Sequence, residues 1–125
     1  MSLLSPNLNI MVQAGERAAR SLLRDYSEVE KLQISKNKPL EFAKRARKRS
    51  EEIIIEHLTR IRPQIGFNSS VFGVKAGEDA EYNWVINGLD GFFNFVNGMT
   101  AWTITIALMK GDDVIAGMTF APVLD

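Results

Sequence analysis

The sequence predicts an α+β fold, two amino-terminal helices packed on an antiparallel sheet, and three observations carry that prediction. Residues 8–26 and 40–61 place apolar side chains at helical spacing. Residues 101–109 alternate apolar with polar, the period of a strand that buries one face. Lys110-Gly111-Asp112-Asp113 then reads as a turn, with residues 114–120 as the return strand of a hairpin. Helices that precede the strands, rather than alternate with them, gather on one face of the sheet.

The first helix opens at Ser5-Pro6, with serine as cap and proline in the first turn, where its missing N–H costs nothing. Its stripe is Leu8, Met11, Val12, Gly15, Ala18, Ala19, Leu22, Leu23 and Tyr26. The small residues Ala14, Gly15 and Ala18 predict close contact with another element. Residues 28–39 are polar and end in Lys36-Asn37-Lys38-Pro39, which reads as a loop with a stop signal. The second helix carries Phe42, Ala43, Ala46, Ile53, Ile54, Leu58 and Ile61, and Pro63 closes it. Residues 82–86 form a short buried strand. In the hairpin, Trp102, Ile104, Ile106 and Leu108 share one face. Since the sequence stops just after a strand, no covering layer is expected within it for the other face of the sheet.

At 125 residues the chain is expected to form one domain, 1–125. Lys and Arg balance Asp and Glu, 15 against 15, so no global charge points to nucleic acid or an acidic membrane. Cysteine is absent, which excludes disulfides, thiolate metal sites and a cysteine nucleophile. No stretch has the order of a signal peptide, and no apolar run approaches the roughly 18 residues of a membrane helix. A cytoplasmic location is the expectation.

The run Trp84-Val85-Ile86-Asn87-Gly88-Leu89-Asp90-Gly91-Phe92-Phe93-Asn94-Phe95 resembles the signature W-V-I-D-P-L-D-G-T-T-N-F of the magnesium-dependent inositol monophosphatase family. Further blocks agree in spacing: Leu8 to Ala14 with the opening helix, Arg62-Pro63 through Gly66-Phe67 with a strand, Ala116-Gly117 with the hairpin, and Pro122 with Asp125 as P-x-x-D. The resemblance implies the amino-terminal half of that family's sandwich. The family hydrolyses inositol phosphate to inositol and phosphate, with carboxylate-held magnesium activating water and steadying the leaving alkoxide.

Against that pattern the chemistry-bearing positions are altered. The family's E-E-S-G falls on Ser70-Val71-Phe72-Gly73, so Ser70 replaces a metal-binding glutamate. Asn87 replaces the first signature aspartate, and Asp90 alone keeps its carboxylate as a vestigial ligand. Gly88 stands for proline. The pattern D-x-V-[ST]-x-x-D falls on Glu41, Ala43, Lys44 and Arg47, putting a cation where an acid belongs. In the phosphate-binding segment Gly91 is kept, while Phe92 and Phe93 replace threonines. The expectation is a truncated, catalytically inactive homologue that binds no magnesium.

Other readings stand beside it. A residual phosphatase would gather one magnesium on Asp90, Glu41 and Asn87 in a homo-oligomer. Bacterial relatives are associated with the transcription antitermination machinery, and the resemblance implies the same for a protein- or RNA-binding module here. Its surface would be the basic cluster of residues 44–49, extended by Lys36 and Lys38. The plainer reading of that cluster is a solvated helix face balanced by Glu51, Glu52 and Glu56. Cations in a helix's first turns oppose its dipole at about 0.3–1 kcal/mol each, which keeps the binding reading open. His57 reads as structural. Phe92, Phe93, Phe95 and Trp102 read as core, or as an interface. The remaining alternative is a decaying reading frame without function.

Overall fold

The computed structural model describes residues 5–35 and 38–124; Lys36, Asn37 and Asp125 lie outside them. Helix α1 spans Pro6–Ser35. Ser5 caps it, its Oγ accepting the Leu8 N–H at 3.1 Å. The helix continues through residues 28–35, which composition assigned to a loop. No glycine or proline interrupts it there, and Val29 is fully buried, so tertiary packing extends what the polar sequence does not announce. Helix α2 spans Pro39–Ile61 and lies along α1. The facing stripes are Met11, Ala14, Ala18 and Leu22 on α1 and Ala43, Ala46, Ile54 and Leu58 on α2.

Five strands follow: β1 (Gly66–Ser69), β2 (Gly73–Lys75), β3 (Tyr82–Asp90), β4 (Thr103–Lys110) and β5 (Asp113–Phe120), with a short helix α3 (Phe92–Val96) between β3 and β4. Their order in the sheet is β2-β1-β3-β4-β5. The sheet is mixed rather than antiparallel, because β1 pairs with β3 in parallel while the other pairs are antiparallel. The cause is β2. This fully exposed edge strand, which no periodicity betrays, returns the chain to the end where β1 began. The link to β3 then crosses the start of β1 with two glycines in contact. A Cβ on Gly77 would lie 2.3 Å from the Gly66 nitrogen and 2.4 Å from the Gln64 carbonyl oxygen. Asp79 pins the crossing, its N–H donating to Gln64 O at 2.8 Å and its carboxylate accepting the N–H groups of Glu81 and Tyr82.

Both helices cover one face of the sheet. Trp84 and Ile86 from β3, then Trp102, Ile104, Ile106 and Leu108, are buried beneath them, as the alternation predicts. Gly15 meets β5, where a Cβ would stand 2.6 Å from the Met118 methyl, so the small residues of α1 do mark close contact. Tyr26, Phe95 and Trp102 form an aromatic cluster with centroids 5.1–5.7 Å apart. The Tyr26 hydroxyl donates to the Gly98 carbonyl at 2.6 Å, tying α1 to the loop after α3. On the other face Val85, Val114 and Ile115 are exposed. No described helix is long and apolar enough to cross a membrane.

Candidate functional site

The altered motif positions converge where α2 meets the end of β1 and an irregularity in β3. The β3–β4 register shifts between Asn87 and Asp90, so Gly88 and Leu89 drop out of the ladder. Backbone groups released this way need other partners, and α2 supplies them. Ser50 Oγ donates to the Gly88 carbonyl at 2.7 Å, and the Gly88 N–H donates to Glu51 Oε2 at 2.6 Å. The hydroxyls of Ser69 and Ser70 donate to Glu51 Oε1 and Oε2. Ser69 Oγ in turn accepts the Phe72 N–H at 2.9 Å, which holds the turn after β1. Glu51 is fully buried, so it does not belong to the solvated helix face that the sequence suggested. One signal for this was present: Ser50 and Glu51 continue the stripe through Ala43, Ala46 and Ile54.

Two departures from the family motif are donors to this carboxylate. By sequence, Ser70 falls against the motif's glutamate and Gly88 against its proline, which has no N–H to give; both donate to Glu51 here. A Cβ at Gly88 would lie 2.9 Å from Glu51 Cγ and 3.0 Å from Ser50 Oγ, so the helix approaches the strand closely here.

The remaining candidates fall around this knot. Arg47, one turn before Glu51, reaches the Ser70 carbonyl at 3.4 Å and sets its guanidinium 5.6 Å from the centroid of the Phe92 ring. Asn87 uses its side-chain oxygen to accept the Leu89 N–H at 3.3 Å. Asp90 is exposed, with Oδ1 accepting the Gly91 N–H at 3.1 Å. Gly91 has φ 82°, and a Cβ there would also meet Ala101 O at 2.7 Å, so the turn requires glycine. Phe92 is half-buried and packs edge-on to Phe93, while Phe93 is 73% exposed. Of the four aromatics read as core, Phe95 and Trp102 are core and Phe93 is not. Glu41 and Lys44 face each other at 3.9 Å on the exposed start of α2.

The basic cluster divides. Arg49 Nη1 donates to both carboxylate oxygens of the buried Asp25, at 2.8 and 2.7 Å, and so joins α2 to α1. Arg45 lies over Phe42. Lys44, Arg45 and Lys48 stay exposed. Among the described residues no group of three His, Asp or Glu side chains is placed to share a metal ion.

Glu51→Ala should destabilise the fold by about 3 kcal/mol, because it strands the buried Gly88 N–H and the buried Ser69 hydroxyl. Glu51→Gln, which keeps one acceptor oxygen, should cost less. Urea unfolding of the three proteins checks the order.

A family profile described as "Inositol monophosphatase family" matches residues 3–125. The chain is 38% identical over 118 residues to an inositol-1-monophosphatase of Mesorhizobium japonicum, covering 94% of this chain and 44% of that protein. It is 28% identical over 120 residues to the Nus factor SuhB of Pasteurella multocida, covering 96% of this chain and 45% of that one. The crystal structure of the extragenic suppressor protein SuhB from Bartonella henselae superposes with a TM-score of 0.85 at 32% identity, over 97% of this chain and 46% of that one. The chain thus spans less than half the length of the relatives it matches. With the signature run, the helix-on-sheet layout and these matches in agreement, the chain belongs to the inositol monophosphatase family.

Proposed function

We propose that this chain retains the scaffold of an inositol monophosphatase without the family's magnesium-assisted phosphatase chemistry. The observation that carries this reading is Arg47. It stands where the family motif has an aspartate, and it touches two other altered positions, Ser70 and Phe92. Magnesium takes six oxygen ligands and is held by one or two carboxylates, with water and phosphate filling the rest, and the donor set here is poor even for that. Asp90 offers one carboxylate, already bonded to Gly91; the Asn87 oxygen serves Leu89; the Ser70 hydroxyl serves Glu51. Both Glu51 oxygens accept hydrogen bonds inside the protein. The Arg47 guanidinium, seated on the Ser70 carbonyl and the Phe92 face, adds positive charge to the junction and so disfavours a divalent cation there. The relatives named inositol-1-monophosphatase make inositol 1-phosphate the substrate to try. The chain should release no phosphate from it above background with magnesium present. Magnesium-dependent turnover that Asp90→Ala abolishes would overturn the reading.

A second reading rests on the relatives named Nus factor SuhB and on the exposed cations of α2. In it the chain binds a component of the transcription machinery through Lys44, Arg45 and Lys48. Arg49 and Arg47 drop out of that surface, since Asp25 and Phe92 hold them. Reversing the three exposed charges should weaken capture of RNA polymerase or its elongation factors by about tenfold, and unchanged capture would remove this surface.

A further inference from the structure

A second basic site lies between the helices, apart from every altered motif position. A cavity of about 380 Å³ opens between α1 and α2, lined by Arg17, Arg20, Ser21 and Arg24 on one side and His57 and Arg60 on the other. Its centre on α2, at His57, is ten residues beyond Arg47, or about 15 Å along the helix. Arg17, Arg20 and Arg24 recur at three- and four-residue spacing and therefore share one face of α1.

The charge of this cavity is only partly compensated. Four guanidinium groups meet one lining carboxylate, Glu56. Among the described residues none of the four has a carboxylate oxygen within 4.0 Å. An independent observation points the same way. Ser21 is 2% exposed, and its hydroxyl is buried without a hydrogen-bond partner. Buried hydroxyls in folded proteins are normally paired, so this one is a donor without an acceptor in a residue that lines the cavity. His57 adds no charge of its own. Arg60, which can only donate, lies 3.3 Å from Nδ1, so the ring proton sits on Nε2 and faces Gln13 Oε1 at 3.3 Å. Burial first, then Arg17 and Arg60, hold its pKa below the usual 6.5, while Glu56 opposes them.

We infer that this cavity binds a small phosphate-bearing polyanion. Guanidinium groups match phosphate oxygens in planar, paired hydrogen bonds, and the cavity is of the size that holds a small ligand. A half-open pocket confined to a few turns of two helices suits a compact anion better than a nucleic-acid backbone, which is followed along an extended groove. This inference is independent of the reading of the motif site, and either can fail alone.

Inorganic pyrophosphate is the probe, titrated into the full chain at constant ionic strength while the His57 ring is followed by NMR. Saturable binding at or below millimolar concentration is expected. It should raise the His57 titration midpoint, because the bound anion offsets Arg17 and Arg60. The exposed pair Arg20→Gln/Arg24→Gln should keep the wild-type melt and weaken binding about tenfold or more, whereas Arg47→Gln should leave it unchanged. Three results would each overturn the inference: no saturable response, equal affinity in the double variant, or loss of binding on Arg47→Gln, which would place the anion at the motif site. Tighter, length-dependent binding of a single-stranded RNA that displaces pyrophosphate would overturn the choice of a small ligand.

Discussion

The buried carboxylate of Glu51 is the interaction on which the arrangement around it depends. A carboxylate out of water is costly unless its lone pairs are used. Here three donors use them, and they come from three separate places: the end of β1, the turn after it and the irregular stretch of β3. Helix α2 is thereby fixed against the sheet at the point where β3 leaves its ladder. Ser50, beside Glu51, satisfies the Gly88 carbonyl and completes the repair. Arg47, Ser70, Asn87 and Asp90 take their positions from this junction.

The departures from the family motif make physical sense as a set. Ser70 and Gly88 each add a donor to the same acid, and Gly88 also lets the helix come close. Asn87 and Asp90 spend side-chain oxygens on the adjacent backbone turn. Phe92 accepts the guanidinium of Arg47 on its face. The Ser70 hydroxyl, the Asn87 oxygen and Asp90 Oδ1 are engaged within the protein, and this coherence is what supports reading the junction as structural rather than catalytic.

The legible parts of the fold are those decided locally. Alternation from Trp102 to Leu108 gives β4, Ser5 gives the helix start, and the small residues of α1 mark the approach of Met118. What escaped notice depends on distant partners. The last turns of α1 rest on the burial of Val29, and β2 exists only because β1 offers an edge. The parallel β1–β3 pair follows from that return. Glu51 looked like one more surface charge because its three donors lie at residues 69, 70 and 88. The arginines of α1 are spread through an apolar stripe and form no run, so the denser cluster of residues 44–49 is the more conspicuous in the sequence. In the structure those residues are partly occupied by Asp25 and Phe92, while the α1 arginines face a cavity.

The most direct test of the central claim is a thermal unfolding curve with and without millimolar magnesium at matched ionic strength. A ligand that binds only the native state adds about 2.7 kcal/mol at a hundredfold excess over its Kd. A cooperative melt that magnesium does not move is the expected result. A clear upward shift that disappears in Asp90→Ala would contradict it, by placing a working metal site at the junction.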